Sequence, residues 1–118
     1  MPLLLRALDQ PDTDLRGNVI DTIALLTGES PDAVTEHAST IITSLLNNAL
    51  DTSSTSNVST RIAALKCLAV FPEKLAYLTI QHQKLPVIKG LGTVLDDKKK
   101  LIRREAVDTR AKWYLLSG

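Results

Sequence analysis

Apolar residues recur along this chain at intervals of three and four, the spacing of one face of an α-helix. The first such pattern predicts a helix over about 13–27, with Asp12 as its N-cap and Gly28 as its C-terminal stop. A second helix is predicted over 30–50, because Pro31 follows a capping serine. The apolar positions of the two helices are Leu15, Val19, Ile23 and Leu26, and then Val34, Ala38, Ile41, Leu45 and Ala49.

The pattern continues less regularly in the second half of the chain. A helix is predicted over about 57–71, and Pro72 is expected to end it. Its apolar positions are Val58, Ile62, Leu65, Leu68 and Ala69. Two separate pieces are predicted near 73–83 and 86–95, because Pro86 should interrupt a single helix.

The last apolar pattern predicts a helix over about 99–116, whose inner side carries Ile102, Ala106, Thr109 and Trp113. In the piece before it, Gly90 and Gly92 weaken the helix but would let two helices approach closely. No segment alternates apolar and polar residues as a strand does. The sequence therefore predicts an all-α fold.

A short phrase recurs three times along the chain. A Leu-Asp pair closes one helix, and an arginine followed by a small apolar pair opens the next: Leu8-Asp9 with Arg16, Leu50-Asp51 with Arg61, and Leu95-Asp96 with Arg103. Successive leucines are 42 and 45 residues apart. This period predicts a HEAT/armadillo-like helical-repeat solenoid of two to three repeats with a C-terminal capping helix. The repeat units are expected at about 1–27, 30–71 and 73–116, with a polar loop at 51–57.

The repeated charges predict a structural ladder along the inner loops. Stacking would bring its three aspartates near its three arginines: Asp9, Asp51 and Asp96, and Arg16, Arg61 and Arg103. Exposed ion pairs contribute only about 0–1 kcal/mol each, so the ladder is expected mainly to fix the register of the repeats. Trp113 is expected to pack inward as a structural cap, because a terminal helix must close the solenoid.

Composition narrows the class of protein. The formal net charge is +1, so direct nucleic-acid binding is not expected. The single cysteine, Cys67, excludes a disulfide framework and favours a reducing compartment, the cytoplasm or nucleus. No apolar run is long enough to span a membrane, and no secretory signal is visible. The apolar start at Leu3-Leu4-Leu5 is typical of the tail of a helix, so we expect a C-terminal fragment of a longer array.

The sequence offers no catalytic set, and we expect no enzyme activity, metal or cofactor. His37 and His82 stand alone without a matching carboxylate. Cys67 lies among apolar residues, where a thiol acts as a small hydrophobic side chain, and one cysteine cannot hold a zinc ion or an iron–sulfur cluster. The Gly90-x-Gly92 motif lacks both the preceding strand and the following Gly-Lys of a phosphate loop.

The strongest surface feature is the charged segment 96–105. It is either a solvated helix start, capped by Asp97, or a basic patch that docks an acidic partner. Arginine and aromatic residues near the end of the chain are further candidate contacts. The candidate partner-binding residues are Lys98, Lys99, Lys100, Arg104, Arg110 and Tyr114.

Two stretches resemble a known family. The segment 95–107, followed by Arg110 and by Trp113-Tyr114-Leu115-Leu116, resembles the extreme C-terminus of the MMS-nineteen (methyl-methanesulfonate sensitivity) nucleotide-excision-repair family. The segment 61–68 is similar to the preceding repeat of the same proteins. The resemblance implies a large, non-catalytic HEAT-repeat adaptor of the cytosolic iron–sulfur assembly targeting complex.

What the family does is then an expectation for this chain. The family's C-terminal repeats bind the other targeting subunits, a WD40 propeller protein and a small protein with a reactive cysteine. Through them the adaptor recruits apo iron–sulfur proteins of DNA repair, replication and transcription, such as DNA helicases. Two alternatives stay open: a HEAT-repeat scaffold of a nuclear-transport or phosphatase complex, and a nucleic-acid binder that uses residues 98–104.

Overall fold

The chain is all-helical in a computed structural model that describes residues 2–52 and 57–116, and these ranges contain no strand. The all-α prediction is confirmed. The helices are α1 (Pro2–Ala7), α2 (Thr13–Glu29), α3 (Pro31–Thr35), α4 (Ala38–Leu50), α5 (Val58–Lys74), α6 (Tyr77–Ile80), α7 (Lys84–Val94) and α8 (Lys100–Tyr114). A 3₁₀ turn, Gln81–Gln83, joins α6 to α7. The predicted polar loop at 51–57 falls mostly on residues 53–56, which lie outside the described residues.

The helices stack in two layers, as in HEAT-like proteins. In one layer α5 lies between α2 and α8. In the other, α4 packs on α5, α7 packs on α8, and α4 and α7 touch each other. Each helix pair thus buries its apolar face against the next pair, which is how a helical repeat forms a continuous core.

The apolar stripe of each helix determines which of its faces packs into the core. All five apolar positions predicted over 30–50 are buried, and so are the four predicted on the inner side of α8. The stripe predicted on α2 is partly wrong, because Leu15 is 42% exposed while Ile20 and Thr27 are buried. Since α2 packs against both α3 and α5, it buries a face turned toward Ile20, and Leu15 falls outside that face.

The first two predicted helices end differently from the sequence expectation. Asp12 caps α2 as predicted, accepting hydrogen bonds from the N–H groups of Asp14 and Leu15 at 3.0 and 3.2 Å. Gly28 does not stop the helix, which continues to Glu29, because no left-handed residue is needed where the chain turns directly into α3. The helix predicted over 30–50 is divided into α3 and α4 by a tight turn, in which the His37 N–H donates to the Val34 carbonyl at 3.0 Å.

Pro72 does not end α5, which runs on to Lys74. A proline inside a helix leaves the carbonyl four residues earlier, here that of Leu68, without its usual N–H donor. The indole Nε1–H of Trp113 donates to this carbonyl at 2.8 Å, and Trp113 is fully buried. The tryptophan of α8 therefore satisfies the acceptor that Pro72 frees in α5, and the helix continues through the proline.

Pro86 also lies inside a helix rather than at a break. It occupies the first turn of α7, where backbone N–H groups have no partner within the helix, so a proline costs little. Gly90 lies against α4, since a Cβ built on it would lie 3.1 Å from both methyl carbons of Leu46. A Cβ on Gly92 would meet nothing within 4 Å, so close approach is found at Gly90 only.

Candidate protein-interaction surface

The buried Arg61 holds the loop that precedes α8. This arginine is only 4% exposed. Its Nε donates to the carbonyl of Ala49 at 3.1 Å, and its Nη2 pairs with Oδ2 of Asp97 at 2.7 Å. The hydrogen bond from Arg61 holds the pKa of Asp97 below its ordinary value, although burial opposes the shift. Arg61 therefore links the end of α4 to the loop before α8.

The other repeated arginines make related contacts. Arg16 donates through Nη1 to the carbonyl of Gln10 at 2.7 Å and through Nε to Oδ1 of Asn48 at 2.9 Å. Its Nη2 lies 4.0 Å from Oδ2 of Asp51. Arg103 donates through Nη1 to the carbonyl of Asp97 at 2.8 Å. Each arginine thus binds a backbone carbonyl that precedes its own helix. Arg16 and Arg61 also bind a side chain of the following repeat.

The aspartates differ from the predicted ladder in two of the three copies. Asp51 approaches Arg16, but the acid that pairs with Arg61 is Asp97 and not Asp96. At the end of α7 the N–H groups of Asp96 and Asp97 bond back to Thr93 and Val94, and this extra turn brings the second aspartate to Arg61. Asp9 is exposed, and within the described ranges its side chain forms no ion pair.

The predicted basic residues lie on the surface around this anchored loop. Lys98, Lys99, Lys100 and Arg104 are all exposed, and no described carboxylate forms an ion pair with any of them. The side chains of Lys98 and Lys99 border an open depression of about 630 Å³ that also contains Asp96 and Asp97. Arg61 pairs with Asp97, which also interacts electrostatically with Lys99, while the lysine side chains stay exposed to solvent.

A second feature lies on the outer side of α8, facing away from the core. Val107, Tyr114 and Leu115 are 55%, 64% and 77% exposed. Together with other α8 residues and the end of α7 they form a groove of about 400 Å³, lined by Leu95, Val107, Arg110, Ala111, Tyr114 and Leu115. We call these six residues the α8 groove.

Cations lie beside the groove. Lys84 Nζ lies 6.0 Å from the centroid of the Tyr114 ring and donates to the carbonyl of Leu116 at 2.9 Å. Arg110 Nε makes a long hydrogen bond of 3.4 Å to the carbonyl of Ile88. Sequence reasoning identified Arg110 and Tyr114 but missed Leu95, Val107 and Leu115. The signal for Val107 and Leu115 was a second apolar stripe at the end of the chain, opposite the buried stripe of α8, whereas Leu95 follows α7 and had no such signal.

The cysteine and the histidines are residues that could serve as nucleophile, acid or base, or metal ligand. Burial, with a smaller contribution from the charge of Asp21, raises the pKa of the Cys67 thiol to about 12. His37 is half-buried and His82 is exposed. Among the residues that the structure describes, no group of three or more His, Cys, Asp or Glu side chains could hold a metal ion. None of the described helices combines the length and apolar character that a membrane span needs.

Comparison with known proteins gives consistent matches. Residues 1–72 match the family model described as RNAPII transcription regulator C-terminal. The whole chain is 36% identical to the mouse and human proteins named MMS19 nucleotide excision repair protein homolog. Over 98% of its length it is 36% identical to the DNA repair/transcription protein mms19 of Schizosaccharomyces pombe. The chain spans only 11% of the length of each of these relatives.

Proposed function

This chain belongs to the MMS19 family of DNA repair and transcription proteins, and on that premise we propose that it is a non-catalytic adaptor segment of the cytosolic iron–sulfur assembly targeting complex. It binds the other targeting subunits, the WD40 propeller protein and the small protein with a reactive cysteine. In the cytoplasm and nucleus, the assembly presents apo iron–sulfur proteins such as DNA helicases for cluster insertion.

One observation supports a binding role above all others. The outer side of α8 carries exposed apolar side chains, and the adjacent loop carries the exposed Lys98 and Lys99, with which no described carboxylate forms an ion pair. Exposed aromatic and apolar side chains that are rimmed by charge are typical of protein interfaces. The helical stack behind them shares one continuous apolar core, and this favours presentation of a surface over movement around a substrate.

The cluster itself is cargo in this proposal, and the chain does not need to bind it. An iron–sulfur cluster is held by about four cysteine ligands, and the chain has one cysteine, which is buried. An adaptor acts instead by holding donor and recipient together, which raises the effective concentration of one for the other.

The proposal is tested by titrating the purified chain with the WD40 subunit and the reactive-cysteine subunit of the same organism, separately and together. We expect a stable complex that co-elutes in size-exclusion chromatography. Recovery of nuclear-transport factors or phosphatase subunits in a parallel affinity purification, with no binding of the targeting subunits, would support the alternative HEAT scaffold and contradict the proposal.

A nucleic-acid-binding role for Lys98 to Arg104 makes a different prediction. It requires binding to duplex DNA near physiological ionic strength, with an affinity that falls steeply as salt is added. Fluorescence anisotropy with a labelled duplex measures this directly. We expect no binding, because the cationic segment is short and the whole chain carries a charge of only +1.

A further inference from the structure

The α8 groove lies between the end of α7 and the outer side of α8. The N-terminal helix of the first layer, α2, is followed by α3 and α4, and α5 is followed by α6 and α7. These following helices turn back into the second layer, where α4 and α7 lie against each other. In the described ranges α8 packs mainly against α5 and α7, and the groove lies on the side of α8 that these two helices leave exposed.

The walls of the groove have the character of a helix-binding surface. On α8, Val107, Ala111 and Tyr114 are spaced by four and three residues and are all exposed. Leu115 continues this strip, and Leu95 lies across from it. An apolar strip of this kind binds the apolar face of an amphipathic helix, whose anchors recur at the same spacing.

The charge around the groove indicates which kind of partner helix could bind there. The segment 95–116 carries seven Lys and Arg and four Asp and Glu, a formal charge of +3, whereas the whole chain carries only +1. One of the four acids, Asp97, pairs with Arg61 at 2.7 Å, and one of the seven cations, Lys112, pairs with Glu73 at 2.9 Å. On the exposed side of α8, Arg104 has no ion-pair partner among the described residues, and Arg110 has none either. A helix with an acidic border would therefore complement the cations beside the groove.

We infer that the α8 groove binds an amphipathic helix with an acidic border, supplied by a partner protein. The identity of that partner as a targeting subunit rests on the proposed function, but the chemistry of the groove does not. The partner helix would cover Val107, Tyr114 and Leu115 with its apolar side and place its carboxylates near Arg104, Arg110 and Lys84.

Two matched pairs of variants test the site. Leu115→Asp places a charge in the groove, and Leu85→Asp is its control, because both leucines are 77% exposed and only Leu115 lines the groove. Arg104→Glu reverses an exposed charge three residues before Val107, on the same side of α8, and Lys66→Glu reverses an exposed charge on α5. Because all four side chains are exposed, we expect all four variants to keep the wild-type melting temperature.

Two probes are titrated into each variant. The first is the pair of purified targeting subunits. The second is a labelled synthetic peptide of about 18 residues, with leucines at helical i, i+3, i+4 and i+7 positions and glutamates between them, compared with the same peptide carrying lysines. We expect the acidic peptide to bind and the lysine peptide not to bind. Leu115→Asp and Arg104→Glu should weaken both interactions about tenfold or more, with the controls unchanged.

The outcomes separate this inference from the proposed function. If the subunits bind every variant equally, the proposed function holds and the groove is not the site. If the acidic peptide binds through the groove but the subunits do not bind at all, the groove inference holds and the proposed function fails. If neither probe binds the wild type, or if the groove instead mediates self-association that Leu115→Asp abolishes, the inference is overturned.

Discussion

Arg61 is a buried charge whose neighbours explain why it is tolerated. A buried guanidinium is costly unless its hydrogen bonds are satisfied, and here the Ala49 carbonyl and the Asp97 carboxylate supply them. Removing one partner of such a pair leaves the other uncompensated. The energetic importance of the pair therefore lies in the cost of breaking it.

We predict that Asp97→Asn lowers the free energy of unfolding by about 3 kcal/mol, because it leaves the Arg61 charge without its counter-ion. The neighbouring variant Asp96→Asn is the control and should change stability by no more than about 0.5 kcal/mol, since Asp96 is exposed. Urea denaturation of both variants measures the difference. Equal losses would show that the ladder uses both aspartates.

The same pair predicts how stability depends on pH. Arg61 lowers the pKa of Asp97 in the folded protein below the ordinary value of 3.8. The ionised carboxylate therefore stabilises the fold above the ordinary value, and this contribution is lost as the pH falls toward and through the folded-state pKa. The stability difference between wild type and Asp97→Asn should be constant near neutrality and shrink below about pH 4. A difference that stays constant in acid would contradict the assignment.

Sequence reasoning located the repeated arginines but not all of their partners. The spacing of Arg16, Arg61 and Arg103 placed them correctly at the starts of helices. It could not distinguish Asp96 from Asp97, because that choice depends on a backbone turn after α7. Such a turn is set by how α7 and α8 pack, and local sequence does not determine it.

At the scale of helices, α5 and α8 are joined by more than apolar contact. Trp113 donates to the Leu68 carbonyl at 2.8 Å, and the hydroxyl of Thr109 donates to the Leu65 carbonyl at 2.9 Å. Both acceptors lie on the face of α5 that α8 covers. The first bond is made to the acceptor that Pro72 leaves free, so the proline and the tryptophan act as a pair.

This pairing predicts a coupling that a double-mutant cycle can measure. Trp113→Phe keeps an aromatic ring but leaves the Leu68 carbonyl unsatisfied, whereas Pro72→Ala restores an N–H that can bond to it. We expect Trp113→Phe to cost about 1 kcal/mol more in the wild-type background than in Pro72→Ala. The loss of ring volume occurs in both backgrounds and cancels. Equal costs in the two backgrounds would mean that the indole N–H is not compensating for the proline.

The sequence predicted which segments form helices better than it predicted where those helices end. Apolar periodicity identified α2, α4, α5 and α8 because each buries a regular stripe. Pro72 and Pro86 were assigned as breaks because their local cost is large. The cost at Pro72 is met by a donor 41 residues away in sequence, and no local rule can include such a contact.

At the scale of the molecule, the charges are unevenly distributed along the stack. Asp9, Asp12 and Asp14 are exposed around the first loop, whereas Lys98, Lys99 and Lys100 are exposed around the last. The formal charge of +1 conceals this separation. An acidic partner would therefore be attracted to one end of the molecule, and association would be faster and more sensitive to salt.

We predict that reversing charge at Lys98, Lys99 and Arg104 together weakens binding of the targeting subunits about tenfold without unfolding the domain, because these side chains are exposed. Reversal at Lys66, Lys74 and Lys89 changes the net charge equally on other exposed residues and is the matched control. Calorimetric titration gives the affinities, and thermal melting checks the fold. Equal weakening by both triple variants would indicate an effect of net charge alone.

The period of 42 to 45 residues predicted the stacked architecture, because each repeat must bury its face against the next. The basic segment was also visible in the sequence as a run of like charges. Of the α8 groove, only Arg110 and Tyr114 were named from the sequence as candidate contacts. Which side of a helix is covered depends on its neighbours, and only the packed structure shows that α8 has neighbours on one side.

Arg16 and Arg61 each bind both a preceding backbone carbonyl and a side chain of the following repeat, and this has a mechanical consequence. Arg61 joins the loop beside Lys98 to the carbonyl of Ala49, and Arg16 reaches on from the neighbouring Asn48 to Gln10. The turns at one edge of the stack are therefore tied in series. A force applied to the last turn would be distributed over all of these turns as elastic bending, and no single hinge would absorb it.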